Sequence, residues 1–350
     1  FLRLHNIGVF HRGAPLPTGG HLHQADATGC MAMYCLDMMR IALELALHNR
    51  AYETTALKFL QHFLHIAKAM NKFAEHGAGL WDEEDGFYYD VLNAGDGTSV
   101  PLKVRSIVGI LPLLAVEVID HDVVEKLPKF MGRMEWVLDS RPDLAQNIPR
   151  WEKPGHGEVR MLTLMSEERI RRVLSRVLDE NEFLSPYGIR ALSRFHKDHP
   201  YTFTVGENKL SVEYQPGEST TDMFGGNSNW RGPISFPVNY LIVHALREYH
   251  RYFGDAFKMK CPAETGPERT LNEIADDISR RLSRLFMPGD DGRRPVFGDL
   301  PKLQNDPHWR DYILFPEYFH GDTGRGCGAA RQTGWTGLVS DLPPPPPHTA

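Results

Sequence analysis

The chain has 350 residues, 41% of them hydrophobic and 24% charged, which is enough to bury a sizeable core and excludes wholesale disorder. Its 39 basic and 45 acidic side chains give a formal charge of −6 with no long basic block, so attraction to a nucleic-acid backbone does not organise it. No run approaches about eighteen apolar residues, so no membrane segment is expected, and Cys30, Cys35, Cys261 and Cys327 sit at spacings that form neither a zinc signature nor a disulfide framework.

The chain opens at Phe1 in a turn-rich stretch without a signal-peptide pattern. Met31 to Leu47 is apolar nearly all round, with Asp37, Arg40 and Glu44 as one narrow polar stripe, the pattern of a helix buried on most sides. Thr54 to Met70 sets Leu57, Leu60, Phe63, Leu64, Ala67 and Met70 against Lys58, Gln61, His62, His65 and Lys68, an ordinary amphipathic helix. The alternation then repeats. Ile107 to Ile119 is predicted to be a buried helix and Val123 to Leu138 a mixed one, followed by a largely apolar Val238 to Leu246. Leu271, Ile274, Ile278, Leu282 and Leu285 mark a two-faced helix. Such alternation is what an inner and an outer ring of helices produces, and no β-branched runs punctuate it as a parallel sheet requires. Phe203-Thr-Val and Leu210-Ser-Val flanking Gly206 predict a hairpin over Tyr201 to Tyr214. Trp335 to Leu342 reads as the first turns of a helix cut short by Pro343 to Pro347, whose tail (341–350) is expected to be disordered.

The segments leading into the buried helices, 5–26, 81–105, 203–236 and 311–335, are long. Connections of this length are functional or disordered. They carry Trp81, Tyr88, Tyr89, Trp230, Phe236, Phe315, Tyr318, Phe319 and Trp335 beside Asp82, Glu83, Glu84, Asp222, Glu317 and Asp322. Rings that stack on sugar faces, next to carboxylates that hold hydroxyls, suit a carbohydrate, and glycosidic hydrolysis needs two carboxyl groups in different protonation states.

Trp230-Arg-Gly-Pro-Ile234 after Gly225-Gly-Asn-Ser-Asn229, Pro237-Val-Asn-Tyr240, Ser185-Pro-Tyr-Gly-Ile-Arg190 and Leu80-Trp-Asp-Glu-Glu-Asp-Gly-Phe-Tyr-Tyr-Asp90 occur in that company, with Phe315-Pro-Glu-Tyr-Phe-His-Gly-Asp322 and Gln332-Thr-Gly-Trp335. Together they resemble glycoside hydrolase family 63, from Asn6 to about Val339. The resemblance implies an all-α fold, an incomplete (α/α)6 toroid over residues 1–340 with long loops and a small β-hairpin on one rim. It also implies inverting hydrolysis of α-glucosidic linkages in an oligosaccharide or small glucoside, with no cofactor. By the same resemblance Glu317 is the general base. Trp230 and Arg231 are subsite residues, with Trp81, Asp322, Trp335, Asp26 and Gln24 as further substrate contacts. Each has a plainer alternative: core packing for Trp230 and Trp335, a solvated turn for the acids after Trp81, a helix N-cap for Asp26 or Thr28.

The pattern breaks at the general acid. His5 occupies the position at which the family's pattern has an aspartate, and an imidazole with a pKa of about 6.5 is mostly neutral at pH 7. His11 and His23 stand where acids are expected, Cys30 and Ser235 where tryptophan is, and Arg331 where histidine is. A degenerate homologue without turnover, retaining at most weak sugar binding, is therefore the competing reading, and a protein-binding helical scaffold a third. His21-x-His23 and His62-x-x-His65 lack a third ligand, so no metal is expected. Gly321 to Gly328 lacks the Lys-Ser/Thr of a phosphate loop. Sequence leaves the compartment open, with the cytoplasm favoured.

Overall fold

The structure is a computed structural model that describes residues 4, 7–12, 15–71, 79–149, 151–218 and 230–342. His5, Asp222, the Gly225–Asn229 motif and the proline run after Leu342 lie outside the described residues.

Helices α1 (Ala25–His48) and α2 (Tyr52–Asn71) form the first antiparallel pair. On α1, Ala25, Gly29, Ala32, Leu36, Met39, Leu43 and Ala46 are buried, and the small side chains among them let neighbouring backbone approach closely. Gly29 shows how closely: a Cβ there would stand 3.0 Å from the backbone of Pro112. The expectation that α1 is enclosed on most sides needs correction. Met31, Tyr34, Met38, Ile41 and Leu45 form a second stripe at helical spacing, and all five are exposed. Helix α2 is amphipathic as expected, burying Ala56, Leu60, Phe63, Leu64, Ala67 and Met70.

Ile107 to Ile119 is not a helix. Two short 3₁₀ turns, Ile107–Gly109 and Leu111–Leu114, lead into a strand, Val116–Ile119, paired antiparallel with Arg160–Thr163. Pro112 supplies no N–H to an α-helical ladder, Gly109 is a weak helix former, and the branched Val116, Val118 and Ile119 suit a strand. Pro128 likewise divides the next segment into α3 (His121–Lys126) and α4 (Pro128–Ser140), followed by the single turn α5 (Pro142–Ala145). Helix α6 (Glu167–Val177) begins at Ser166, whose hydroxyl accepts from Arg169 N–H.

Helices α7 (Phe236–Phe253) and α8 (Leu271–Arg284) form the second packed pair, α8 opening with a capping box in which Thr270 and Glu273 satisfy each other's backbone. Both α1 and α7 rest on the Leu111–Leu114 turn. Two short helices, α9 (Pro301–Asn305) and α10 (Thr333–Thr336), follow. The predicted hairpin is present: Tyr201–Val205 pairs with Asn208–Val212 across a two-residue loop whose first residue, Gly206, has a φ of +59°. The molecule is thus mainly helical with small antiparallel strand pairs. One large core runs through the helices, and a second, with Phe10, Leu92, Val212 and Tyr214, lies under the hairpin.

Candidate functional site

Loops from two of the segments expected to carry function, 203–236 and 311–335, meet the Ser185–Arg190 motif beyond the N-terminus of α7. Ile234 exchanges backbone hydrogen bonds with Phe319 (2.8 and 3.0 Å) and forms a β-bridge to Arg190, while Gln215 N–H donates to Arg231 O (2.6 Å) and Gly321 N–H to Pro216 O (2.8 Å). The loops at 184–190, 214–218, 230–234 and 317–322 are therefore laced by their backbones. Gly232, at a φ of +143°, sits where a Cβ would fall 2.6 Å from the Tyr214 ring, so only glycine fits.

Within this cluster Arg190, Tyr214 and Asp322 form a network. Arg190 donates to Asp322 (3.0 Å) and to the Tyr214 hydroxyl (3.0 Å), and that hydroxyl donates to Asp322 (2.9 Å). Burial would raise the Asp322 carboxyl, but these bonds outweigh it and hold the group below the usual carboxylate range. Asp322 is thus a tie between loops. Arg231 is buried, its guanidinium pKa lowered by desolvation and supported by Glu213, and Trp230 packs half-buried against the core.

Glu317 is half-buried at the start of the Tyr318–Phe319 strand. Its backbone N–H donates to Ala329 O (2.9 Å), and its Oε2 accepts from Ala329 N–H (3.2 Å). The preceding amide, Gly328 N–H, donates to Glu218 Oε1 (3.3 Å). Gly328 has a φ of +68°, and a Cβ on it would meet the Tyr318 ring at 2.7 Å and Glu317 Oε2 at 2.9 Å. The buried Tyr318 hydroxyl has no hydrogen-bond partner among the described residues; burial first, then the negative charge of Cys327, Glu218 and Glu317, pushes its pKa up.

Asp26 and Trp335 come together elsewhere on this face. They line a cavity of about 200 Å³ with Cys30, Met31, Met33, Tyr34, Pro237, Val238 and Leu241. Trp335 sits on α10, and the next residue, Thr336, donates its hydroxyl to Pro316 O (2.6 Å), which ties the cavity wall to the residue before Glu317. Behind Asp26 lies Arg12, buried and hydrogen-bonded to both Asp26 and Asp90. Burial opposes its charge, but Asp90 and Asp26 together hold the guanidinium protonated; burial likewise pushes the Asp26 carboxyl up while Arg12 pulls against it. Burial and the neighbouring Asp26 push the Cys30 thiol up to about 12. Neither Asp26 nor Thr28 is the N-cap. That position is Gln24, whose side chain makes no capping bond, and Asp90 Oδ1 reaches across to accept from Ala25 N–H (2.9 Å). Trp81 is placed apart, on a hairpin against α6, with Arg169 4.8 Å over its ring and Tyr88 edge-on at 4.8 Å.

Sequence reasoning passed over Arg12, Asp90, Tyr214 and Glu218. Glu218 follows Pro216-Gly217, a turn signal that marks a loop but not its partner, and nothing local ties Arg12 to residue 90. Among the described residues no group of three or more His, Cys, Asp or Glu side chains could hold a metal, and no helix is long and apolar enough to cross a membrane.

No family model matches the chain. It is 47% identical over 354 positions to an uncharacterized protein of Saccharomyces cerevisiae, YMR196W, the match covering 97% of this chain and 32% of that one. Over 174 positions it is 30% identical to a probable mannosyl-oligosaccharide glucosidase of Schizosaccharomyces pombe, covering 50% of this chain and 15% of that one. Among solved structures it is similar to a sialidase (TM-score 0.42, 11% identity, 94% of this chain and 20% of that one). It is also similar to a GH63 mannosylglycerate hydrolase from Thermus thermophilus in complex with glucose (TM-score 0.35, 14% identity, 91% of this chain and 47% of that one). The chain thus spans about a third or less of the curated relatives it matches, and half of it is distantly homologous to a probable glucosidase.

Proposed function

We propose that this chain is the carbohydrate-handling part of an inverting α-glucosidase of the family 63 type, built as part of an (α/α)6 toroid with α1 and α7 in its inner layer. The observation that carries the reading is the cavity in which the Asp26 carboxylate, backed by Arg12 and Asp90, faces the Trp335 indole and the Tyr34 ring. The Asp26 carboxyl group offers a sugar hydroxyl a polar partner, the aromatic walls take the apolar face of a sugar ring, and the volume suits one such ring. Glu317 follows Pro316, whose carbonyl accepts from Thr336 beside the cavity-lining Trp335, and is fixed by the Ala329 amide; it is the base that takes a proton from the attacking water. The similarity to a probable mannosyl-oligosaccharide glucosidase points to the same substrate class. The exposed stripe of α1 fits an inner helix whose other face meets further helices.

The test is incubation with α-linked gluco-oligosaccharides, following the first-released anomer by proton NMR. β-Glucose is expected. α-Glucose as first product contradicts inversion. Glucose binding without any release favours a sugar-binding chain without turnover, a reading supported by the engagement of both Asp26 and Asp90 with Arg12.

A further inference from the structure

We infer that the exposed stripe of α1 is one half of a helix–helix seam whose occupant is an amphipathic helix with a basic flank. That helix comes from the polypeptide outside the matched 32% in a protein of the yeast relative's length, a partner that rests on the toroid reading above and deepens it.

Exposed apolar residues are ordinary when scattered, but these are ordered. Met31, Tyr34, Met38, Ile41 and Leu45 follow one another at intervals of three, four, three and four residues, and each is 39–54% exposed. Such spacing is the a and d pattern of a coiled-coil seam, which a second helix fills with knobs of its own. At about 1.5 Å per residue the seam is roughly 21 Å long. The other side of α1 is taken, since its buried residues meet α2 and the Leu111–Leu114 turn.

The flanks of the seam select the occupant. Cys35 and Ala42 stand on one side, small and buried. Asp37 and Glu44 stand on the other, exposed and without a hydrogen bond or ion pair among the described residues. Charges at these e and g positions decide which helices pair. A second copy of this chain does not satisfy them: packed seam against seam, its Asp37 and Glu44 fall opposite the same acids or opposite Cys35 and Ala42. A helix with Lys or Arg along one flank does. The match covers 32% of the yeast relative, which leaves chain enough for such a helix. At its N-terminal end the seam reaches the Asp26–Trp335 cavity, which Met31 and Tyr34 also line, so the same helix adds a wall to the proposed sugar site.

The test uses designed peptides of about three heptads with leucine at a and d. One carries lysine at e and g and the other glutamate, and binding to this chain is followed by titration calorimetry. The lysine peptide should bind one to one and roughly tenfold tighter than the glutamate peptide. Met38→Glu should abolish binding. The double variant Asp37→Lys, Glu44→Lys, still net negative, should reverse the preference, which non-specific attraction to an acidic chain would not do. The source of the helix is read from maleimide labelling of Met38→Cys, corrected for the native cysteines. Labelling should be slower by roughly tenfold in a protein extended to the relative's length than in this chain. Binding by neither peptide, equal binding by both, or a preference that the double variant leaves unchanged overturns the basic flank, even where slow labelling keeps a neighbouring helix. Equal labelling of the two proteins, or a dimer of this chain that Met38→Glu dissolves, overturns the neighbour itself. The glucose-release test decides hydrolysis independently of all these outcomes.

Discussion

Arg12 concentrates the physical chemistry of the site in one residue. It is charged, buried, and the shared partner of two carboxylates that are themselves buried. Removing it leaves Asp26 and Asp90 in a low-dielectric pocket without a counter-charge, a change that costs about 3–5 kcal/mol when one partner of a buried pair is lost. The Arg12→Met variant should therefore show a lower urea midpoint at pH 7. Its deficit should shrink toward pH 5, because unpaired buried carboxyls hold their protons longer in the folded chain, and the stability so gained is present at low pH and lost as pH rises. A deficit equal at both pH values would contradict this account. Arg12 also shows what a sequence conceals. Glu317, Trp230 and Asp322 sit in conspicuous motifs, whereas Arg12 lies in a turn and matters only because the fold brings residue 90 to it. Asp322 shows the converse: its motif is legible, but its engagement by Arg190 and Tyr214 is decided by loops 132 and 108 residues away.

At the scale of elements, local signals decide where pattern and structure agree. Helices α2 and α8 have strong two-faced patterns, and the Tyr201–Val212 hairpin has its glycine in the turn, so pattern and structure agree. Ile107 to Ile119 failed because unbroken hydrophobicity cannot separate a buried helix from buried turns and a strand, and Pro112 outweighs it. On α1 the composition was correct and the burial half so, since a sequence does not show which neighbour covers each face. Gly29 is the point where α1 meets those turns. Alanine is the better helix former by about 1 kcal/mol, so propensity alone makes Gly29→Ala stabilising. Its Cβ would, however, press on Pro112 Cα and N at 3.0 Å, backbone held between α1 and α7, and overpacking of this kind costs about 1–3 kcal/mol. The variant should unfold at lower temperature than wild type in calorimetry; an increase would show that the turn yields freely.

At the scale of the whole molecule, α1, α7 and the Val116–Ile119 strand share a second cavity, of about 430 Å³, which differs from the Asp26–Trp335 cavity in its charged lining residues: Asp37, Arg40, Glu117, Glu248 and Arg251. Arg40 on α1 bonds Glu117 at 2.6 Å, and Arg251 on α7 bonds Glu248 of its own helix at 2.6 Å and also Asp120, so each helix is tied through ions to the segment 117–120. The acids outnumber their partners. Burial, reinforced by Glu248 and Asp37 and only partly offset by Arg40, pushes the Glu117 carboxyl up to about 7. An acid whose folded pKa exceeds its unfolded one stabilises the fold while it keeps its proton, so this contribution is complete below the ordinary glutamate range. It falls away as pH rises to about 7. At about 1.4 kcal/mol per unit, the change across that window is on the order of 3 kcal/mol. Glu117→Gln keeps the shape and removes the titration, so its stability should be flatter than that of wild type between pH 5 and 7.5, by urea unfolding at each pH. Parallel curves for the two proteins would mean that Arg40 keeps Glu117 ionised throughout, and that α1 is held to the Val116–Ile119 strand by an ordinary ion pair at every pH tested.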